Sequence, residues 1–112
     1  MTTVSDLASS AQDESPESLL TFAKYLELSL DAGLCLVMMR RRSDVASILM
    51  GEPSEEFKDL QNCGRITSAM ADEILDLTKS GTNQLTIGEL EYRFFRSFAH
   101  IAGVGAVVFA PA

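Results

Sequence analysis

The sequence predicts an α+β fold in which two long antiparallel helices and a short helix carry a C-terminal β-hairpin. Three observations lead to this prediction. Apolar residues recur at helical spacing in residues 19–30 and again in residues 57–77, and the tail "VGAVVFAPA" is short, apolar and rich in valine. The alternative is an all-α helical bundle in which residues 86–102 are helical.

The chain has 112 residues, which predicts one domain, and its hydrophobic content of 46% is sufficient for a core. The first 15 residues are rich in Ser, Thr and acidic residues and poor in apolar ones, a composition typical of disorder. We therefore expect a disordered N-terminal lead-in at residues 1–15 and a single globular domain at residues 16–112. The other interpretation of the lead-in is a recognition tail, such as an export signal.

The first helix is expected to begin at Ser15, Pro16 and Glu17, which suit the cap, the first helical position and the first turn. Residues 32–39, "AGLCLVMM", are apolar on every side, which predicts a buried element. We expect the helix to continue through them, because Leu and Met favour helices. Two alternatives remain: Gly33 ends the helix before a short buried strand, or one face meets a second chain.

A short helix is expected from Ser43 to Gly51, and a long helix over residues 54–80 with Ser54 as its cap and Gly81 as its stop. The long helix is the clearest pattern in the sequence, because seven apolar residues follow its helical spacing. They are Phe57, Leu60, Cys63, Ile66, Met70, Ile74 and Leu77.

The last third of the chain fits two periodicities. At period two most of its large apolar residues point one way, whereas at helical period Thr86 and Glu89 form a capping box. Strand-forming Tyr, Phe and Ile residues favour the first interpretation. We expect strands at residues 84–98 and 104–110, joined through "HIAGVG" as a hairpin, so that the apolar tail closes a small sheet.

The net charge is −7 and the pI is about 4.5, which argues against nucleic acid or an anionic membrane as a partner. Residues 1–18 contain no basic residue, unlike the start of a secretory signal, and no apolar run is long enough to span a bilayer as a helix. The two cysteines, Cys35 and Cys63, suit free thiols in a reducing compartment. These observations together predict a cytoplasmic protein.

The sequence offers no catalytic or metal-binding constellation. His100 is the only histidine, and zinc needs three or four His or Cys ligands. The segment "KSGTNQLTIGEL" resembles the second half of a calcium loop, but the first half of the loop lacks carboxylates and Asn83 stands where the central glycine is needed. We therefore expect neither an enzyme nor a cofactor.

Surplus apolar surface instead predicts a small protein-interaction module, such as an adaptor, a chaperone-like binder or a regulator of another protein, that self-associates as a homodimer. Its size and acidity suit a bacterial accessory protein. The candidate partner or dimer surface consists of Leu34, Leu36, Val37, Met38, Met39, Val104, Val107 and Phe109. The candidate charged contact is the run Arg40, Arg41 and Arg42, which alternatively complements the C-terminal end of a helix dipole.

The second hypothesis is an acidic polyanion mimic or inhibitor that occupies a basic nucleic-acid-binding site on a target protein. Its contact would be the acidic face of the long predicted helix. The residues concerned are Glu55, Glu56, Asp59, Asp72, Glu73 and Asp76. Binding through such a face is expected to weaken at high salt.

Overall fold

A computed structural model describes residues 16–40, 42–52 and 60–112 of the chain. Within these ranges, two helices and six strands follow one another along the chain. They are α1 (Glu17–Ala32), β1 (Cys35–Met39), β2 (Val45–Gly51), β3 (Gln61–Thr67), α2 (Ser68–Leu77), β4 (Gly81–Ile87), β5 (Leu90–Ile101) and β6 (Val104–Pro111). The strands form one antiparallel sheet in the order β3-β2-β1-β6-β5-β4. The predicted fold class, two long helices with a hairpin, is therefore wrong, and so is the alternative of an all-α bundle.

Helix α1 ends well before residue 39. Gly33 adopts a left-handed φ of 71°, and the N–H groups of Gly33 and Leu34 donate to the carbonyls of Leu30 and Ser29 at 3.1 and 2.8 Å. This arrangement closes the helix, because glycine adopts a positive φ without steric cost. The predicted continuation of the helix is wrong, and "CLVMM" is the central strand β1, buried on both faces. A strand buried on both sides is apolar throughout, as a buried helix is.

Strands also replace the predicted short helix and part of the predicted long helix. Residues 45–51 form β2 instead of a short helix, and residues 61–67 form β3 in the middle of the predicted long helix. Of the described residues in that pattern, Ser68–Leu77 are helical and form α2. This helix begins after Thr67, whose hydroxyl accepts a hydrogen bond from the N–H of Met70 at 3.1 Å. The predicted start at Ser54 lies outside the described residues, as does the predicted N-terminal lead-in.

The last third of the chain consists of strands. A turn at Gly88, with φ of 64°, divides the single strand expected at residues 84–98 into β4 and β5. The apolar tail forms β6, which pairs with β5 on one side and with β1 on the other. The tail is thus an interior strand of the sheet.

The two helices pack on one face of the sheet, which we call the helix-covered face. Phe22 of α1 contacts Phe94 and Phe109 of the sheet, with ring centroids 5.6 and 4.8 Å apart. The opposite face carries a second buried cluster. Its members are Cys35, Val37, Met39, Leu49, Ala106 and Val108, each at most 4% exposed.

Candidate protein-interaction site

The structure places most of the predicted partner surface in the interior of the sheet. Leu36, Val37, Met38 and Met39 of β1 are at most 4% exposed, while Leu34 is half-buried just before the strand. Both edges of β1 are occupied, by β2 and by β6. These side chains therefore belong to the core of the sheet and are not available to a partner in the described fold.

The tail residues of that surface divide in the same way. Val107 and Phe109 are buried on the helix-covered face, whereas Val104 is half-buried at the start of β6. Phe109 belongs to an aromatic cluster with Phe22 and Phe94, in edge-to-face geometry that favours such ring contacts. The predicted tail surface is thus part of the main core.

The arginine run follows a strand rather than a helix, so the helix-dipole explanation does not apply. Arg40 forms an ion pair with Asp72 of α2, and the two side chains are 43% and 60% exposed. Arg42 is exposed as well, and Arg41 lies outside the described residues. Arg40 is the residue of the predicted charged contact that lines an open groove.

We call this depression the Phe98 groove. It has a volume of about 470 Å³ and lies on the helix-covered face, between the end of α2 and the β5–β6 hairpin. Its largest lining side chains are Met38, Arg40, Leu75, Phe98, His100 and Val107. Three of them, Met38, Arg40 and Val107, belong to the surface predicted from the sequence. Part of the predicted surface therefore lines one groove, together with Phe98, which was not among the predicted surface residues.

Phe98 is the most exposed large apolar side chain of the described residues, at 66%. Phe98 and Val107 are direct partners across β5 and β6, so their side chains share one face of the sheet. Val107 and Met38, another pair, are buried and form the floor. The groove therefore has an apolar floor and an exposed aromatic wall.

Arg96 supports the wall formed by α2. Its Nη1 donates to the carbonyl oxygens of Leu75 and Thr78, both at 3.0 Å, and to the Thr78 hydroxyl at 2.7 Å. A cation at these positions satisfies carbonyl groups that a helix end leaves unpaired. The guanidinium also lies 5.7 Å from the ring centre of Phe98. Arg96 thereby links the end of α2 to the phenylalanine across the groove.

The polar groups at the rim are Arg40 and His100, both exposed. Asp72 partly neutralises Arg40 through their ion pair. The groove can accordingly accept a bulky apolar side chain, with room for a carboxylate beside it. This is the chemistry of peptide recognition, in which an apolar anchor supplies binding energy and polar groups at the rim set its orientation.

The two cysteines lie in surroundings that disfavour the thiolate form. Burial raises the pKa of the Cys35 and Cys63 thiols, which lowers the fraction of reactive thiolate. Both cysteines are free. Among the described residues, no group of three or more His, Cys, Asp or Glu side chains is arranged to hold a metal ion.

Sequence reasoning counted Phe98 among the surplus apolar residues but left it out of the candidate surface, and it missed Arg96 as a helix anchor. The period-two pattern did place Phe98 on the same side as Tyr92 and Phe94. That pattern could not show that Phe98 stays uncovered, because which strand residues a helix packs against depends on the tertiary fold.

Among the described residues, no helix combines the length and the apolar composition that crossing a membrane requires. Comparison of the chain with models of protein families, with curated proteins and with solved structures finds no match in any of the three.

Proposed function

We propose that this chain is a small cytoplasmic protein-interaction module that binds an apolar segment of another protein in the Phe98 groove. The observation that carries the proposal is the exposure of Phe98, 66%, above a floor of buried side chains. Isolated exposed apolar residues are common on protein surfaces. An exposed aromatic ring beside a concave apolar floor is a stronger indication of binding, because a partner side chain can be surrounded there.

The proposed ligand is a segment with one bulky apolar side chain and an acidic neighbour. The apolar side chain would cover Phe98 and Val107, and the carboxylate would share Arg40 with Asp72 or approach His100. Such a role fits an adaptor, a chaperone-like binder or a regulator, and it requires neither a cofactor nor catalysis. Two free cysteines support a reducing compartment.

The test is selection of binding peptides from a random display library, followed by calorimetry on individual peptides. We expect enrichment of sequences with a Phe, Leu, Ile or Met anchor. The substitution Phe98→Ser should weaken their binding by about tenfold or more, since burying one large apolar side chain contributes about 1.5–3 kcal/mol.

Phe95→Ser is the matched control. Phe95 lies on the same strand and is also exposed, at 46%, but it points to the opposite face of the sheet. Binding that persists in Phe98→Ser and disappears in Phe95→Ser would place the partner surface on the wrong face for this proposal. Absence of any enriched peptide would contradict the proposed class of function.

The polyanion mimic has less support. The acidic residues of α2 are partly engaged within the chain, because Asp72 pairs with Arg40 and Glu73 accepts a hydrogen bond from Ser18. Glu55, Glu56 and Asp59 lie outside the described residues, and β3 separates them from α2. Salt distinguishes the two hypotheses: binding in the Phe98 groove should survive high salt, whereas binding through an acidic surface should not.

A further inference from the structure

The two edge strands of the sheet differ in how well they are protected against pairing with another strand. Strand β3 has a register shift where it pairs with β2, and it carries the exposed Arg65. Bulges and charges are the usual features that keep an edge strand from pairing. Strand β4, "GTNQLTI", has no charged residue and no proline, and its register with β5 is continuous over seven residues. The β4 edge is thus the unprotected one.

Open space runs along this unprotected edge. A depression of about 620 Å³ lies beside β4 and the end of α2, and its lining includes Leu77, Thr82, Asn83, Gln84 and Leu85. Both faces of β4 contribute to this lining. Among the described strands, only β5 pairs with β4, so the other side of β4 has backbone groups available for an additional strand.

We propose that β4 of a second copy of this chain pairs antiparallel with β4 and joins the two sheets across a two-fold axis near Gln84. This inference builds on the homodimer predicted from the sequence and assigns its contact surface to β4. In that register Thr82 lies opposite the partner's Thr86, and Asn83 lies opposite the partner's Leu85. Self-pairing places identical strands side by side, and like charges directly opposite each other destabilise a sheet. An uncharged strand avoids this penalty.

Local structure defines both ends of β4. Gly88 and Glu89 form the two-residue turn between the paired Ile87 and Leu90, so Glu89 lies on the side of β5. Asn83 fixes the backbone of Lys79 relative to β4, because its side chain accepts from the N–H of Lys79 at 3.0 Å and donates to its carbonyl at 2.7 Å.

Exposed apolar side chains flank the edge on both faces. Leu77, at 41% exposure, borders the depression on the side of α2. Phe95, at 46%, lies opposite Thr82 on the other face. A second copy would cover part of both side chains, which adds apolar burial to the backbone hydrogen bonds.

The first experiment measures the oligomeric state of the full chain by sedimentation velocity over a range of concentrations. We expect a dimer for the natural sequence and for Gln61→Lys on the β3 edge. In Gln84→Lys two lysines face each other at the axis, and the dimer dissociation constant should rise by about tenfold or more. The lysine introduced can still donate to Glu91, which Gln84 contacts at 2.7 Å, so the monomer should fold. A monomeric natural chain, or a dimer that Gln84→Lys leaves intact, would overturn the proposal.

The second experiment tests the register. The double variant Thr82→Glu, Thr86→Lys places opposite charges directly across the interface at both of its ends, so its dimer should be tighter than that of either single variant. A double variant that dimerises no more tightly than the single variants would rule out this register. Peptide binding in the Phe98 groove should persist in monomeric Gln84→Lys, and dimerisation should persist in Phe98→Ser, so each proposal can fail independently of the other.

Discussion

The hydroxyl of Tyr92 ties the sheet to helix α1. It donates a hydrogen bond of 2.8 Å to Glu27, and the ring is 7% exposed. Burial, this hydrogen bond and the nearby carboxylate raise the pKa of Tyr92 from 10.0 to about 12. The folded chain therefore holds the phenolic proton more tightly than the unfolded chain. This contribution to stability is complete below pH 10 and is lost as the pH rises towards 12.

Removing the Tyr92 hydroxyl tests whether its raised pKa makes the stability of the fold depend on pH. Tyr92→Phe should lower the free energy of unfolding by about 1 kcal/mol at neutral pH. It should also flatten the decline of that free energy between pH 10 and 12, measured by urea unfolding at a series of pH values. The control Tyr25→Phe should retain the steep decline, since it leaves Tyr92 and Glu27 in place. Equal slopes in the two variants would contradict this assignment.

Arg96 acts at the scale of elements, because it joins the end of α2 to β5 through three hydrogen bonds. Arg96→Met keeps the length of the side chain and removes the donors. We expect it to lower the free energy of unfolding by about 2 kcal/mol and to weaken peptide binding, since Leu75 borders the Phe98 groove. Arg93→Met is the control: Arg93 is exposed on the other face, and its loss should change stability by less than about 0.5 kcal/mol.

Local signals in the sequence predicted some elements and misled about others. The start of α1 near Pro16 and the strand nature of the tail follow from helix-start residues and β-branched composition, and both are present. The long helix was wrong, because Leu60, Cys63 and Ile66 match a helical spacing by coincidence while their segment is β3 or leads into it. Tertiary pairing with β2 determines the structure of these residues, and a single sequence does not show that pairing.

At the scale of the whole molecule, the order of the strands was the main feature that could not be predicted. The last strand in the chain, β6, lies between the first, β1, and its neighbour β5. This arrangement turns the apolar run of β1 and the apolar tail into adjacent central strands, so the surplus of apolar residues is largely a core buried on both faces. The Phe98 groove occupies the part of the helix-covered face that both helices leave open.

The central position of β6 makes a prediction about the entire fold. Removing residues 104–112 would open the sheet between β1 and β5, delete Phe109 and expose its aromatic partners Phe22 and Phe94. Each large side chain that loses its burial costs about 1.5–3 kcal/mol, and a domain of this size has about 5–15 kcal/mol of stability in total. We expect the truncated chain to lack cooperative urea unfolding and ordered near-ultraviolet circular dichroism. Removing only the exposed Pro111 and Ala112 should leave both signals intact. A truncated chain that stays folded and monomeric would contradict this prediction. It would show that the core does not need the tail and that the tail instead forms a contact surface.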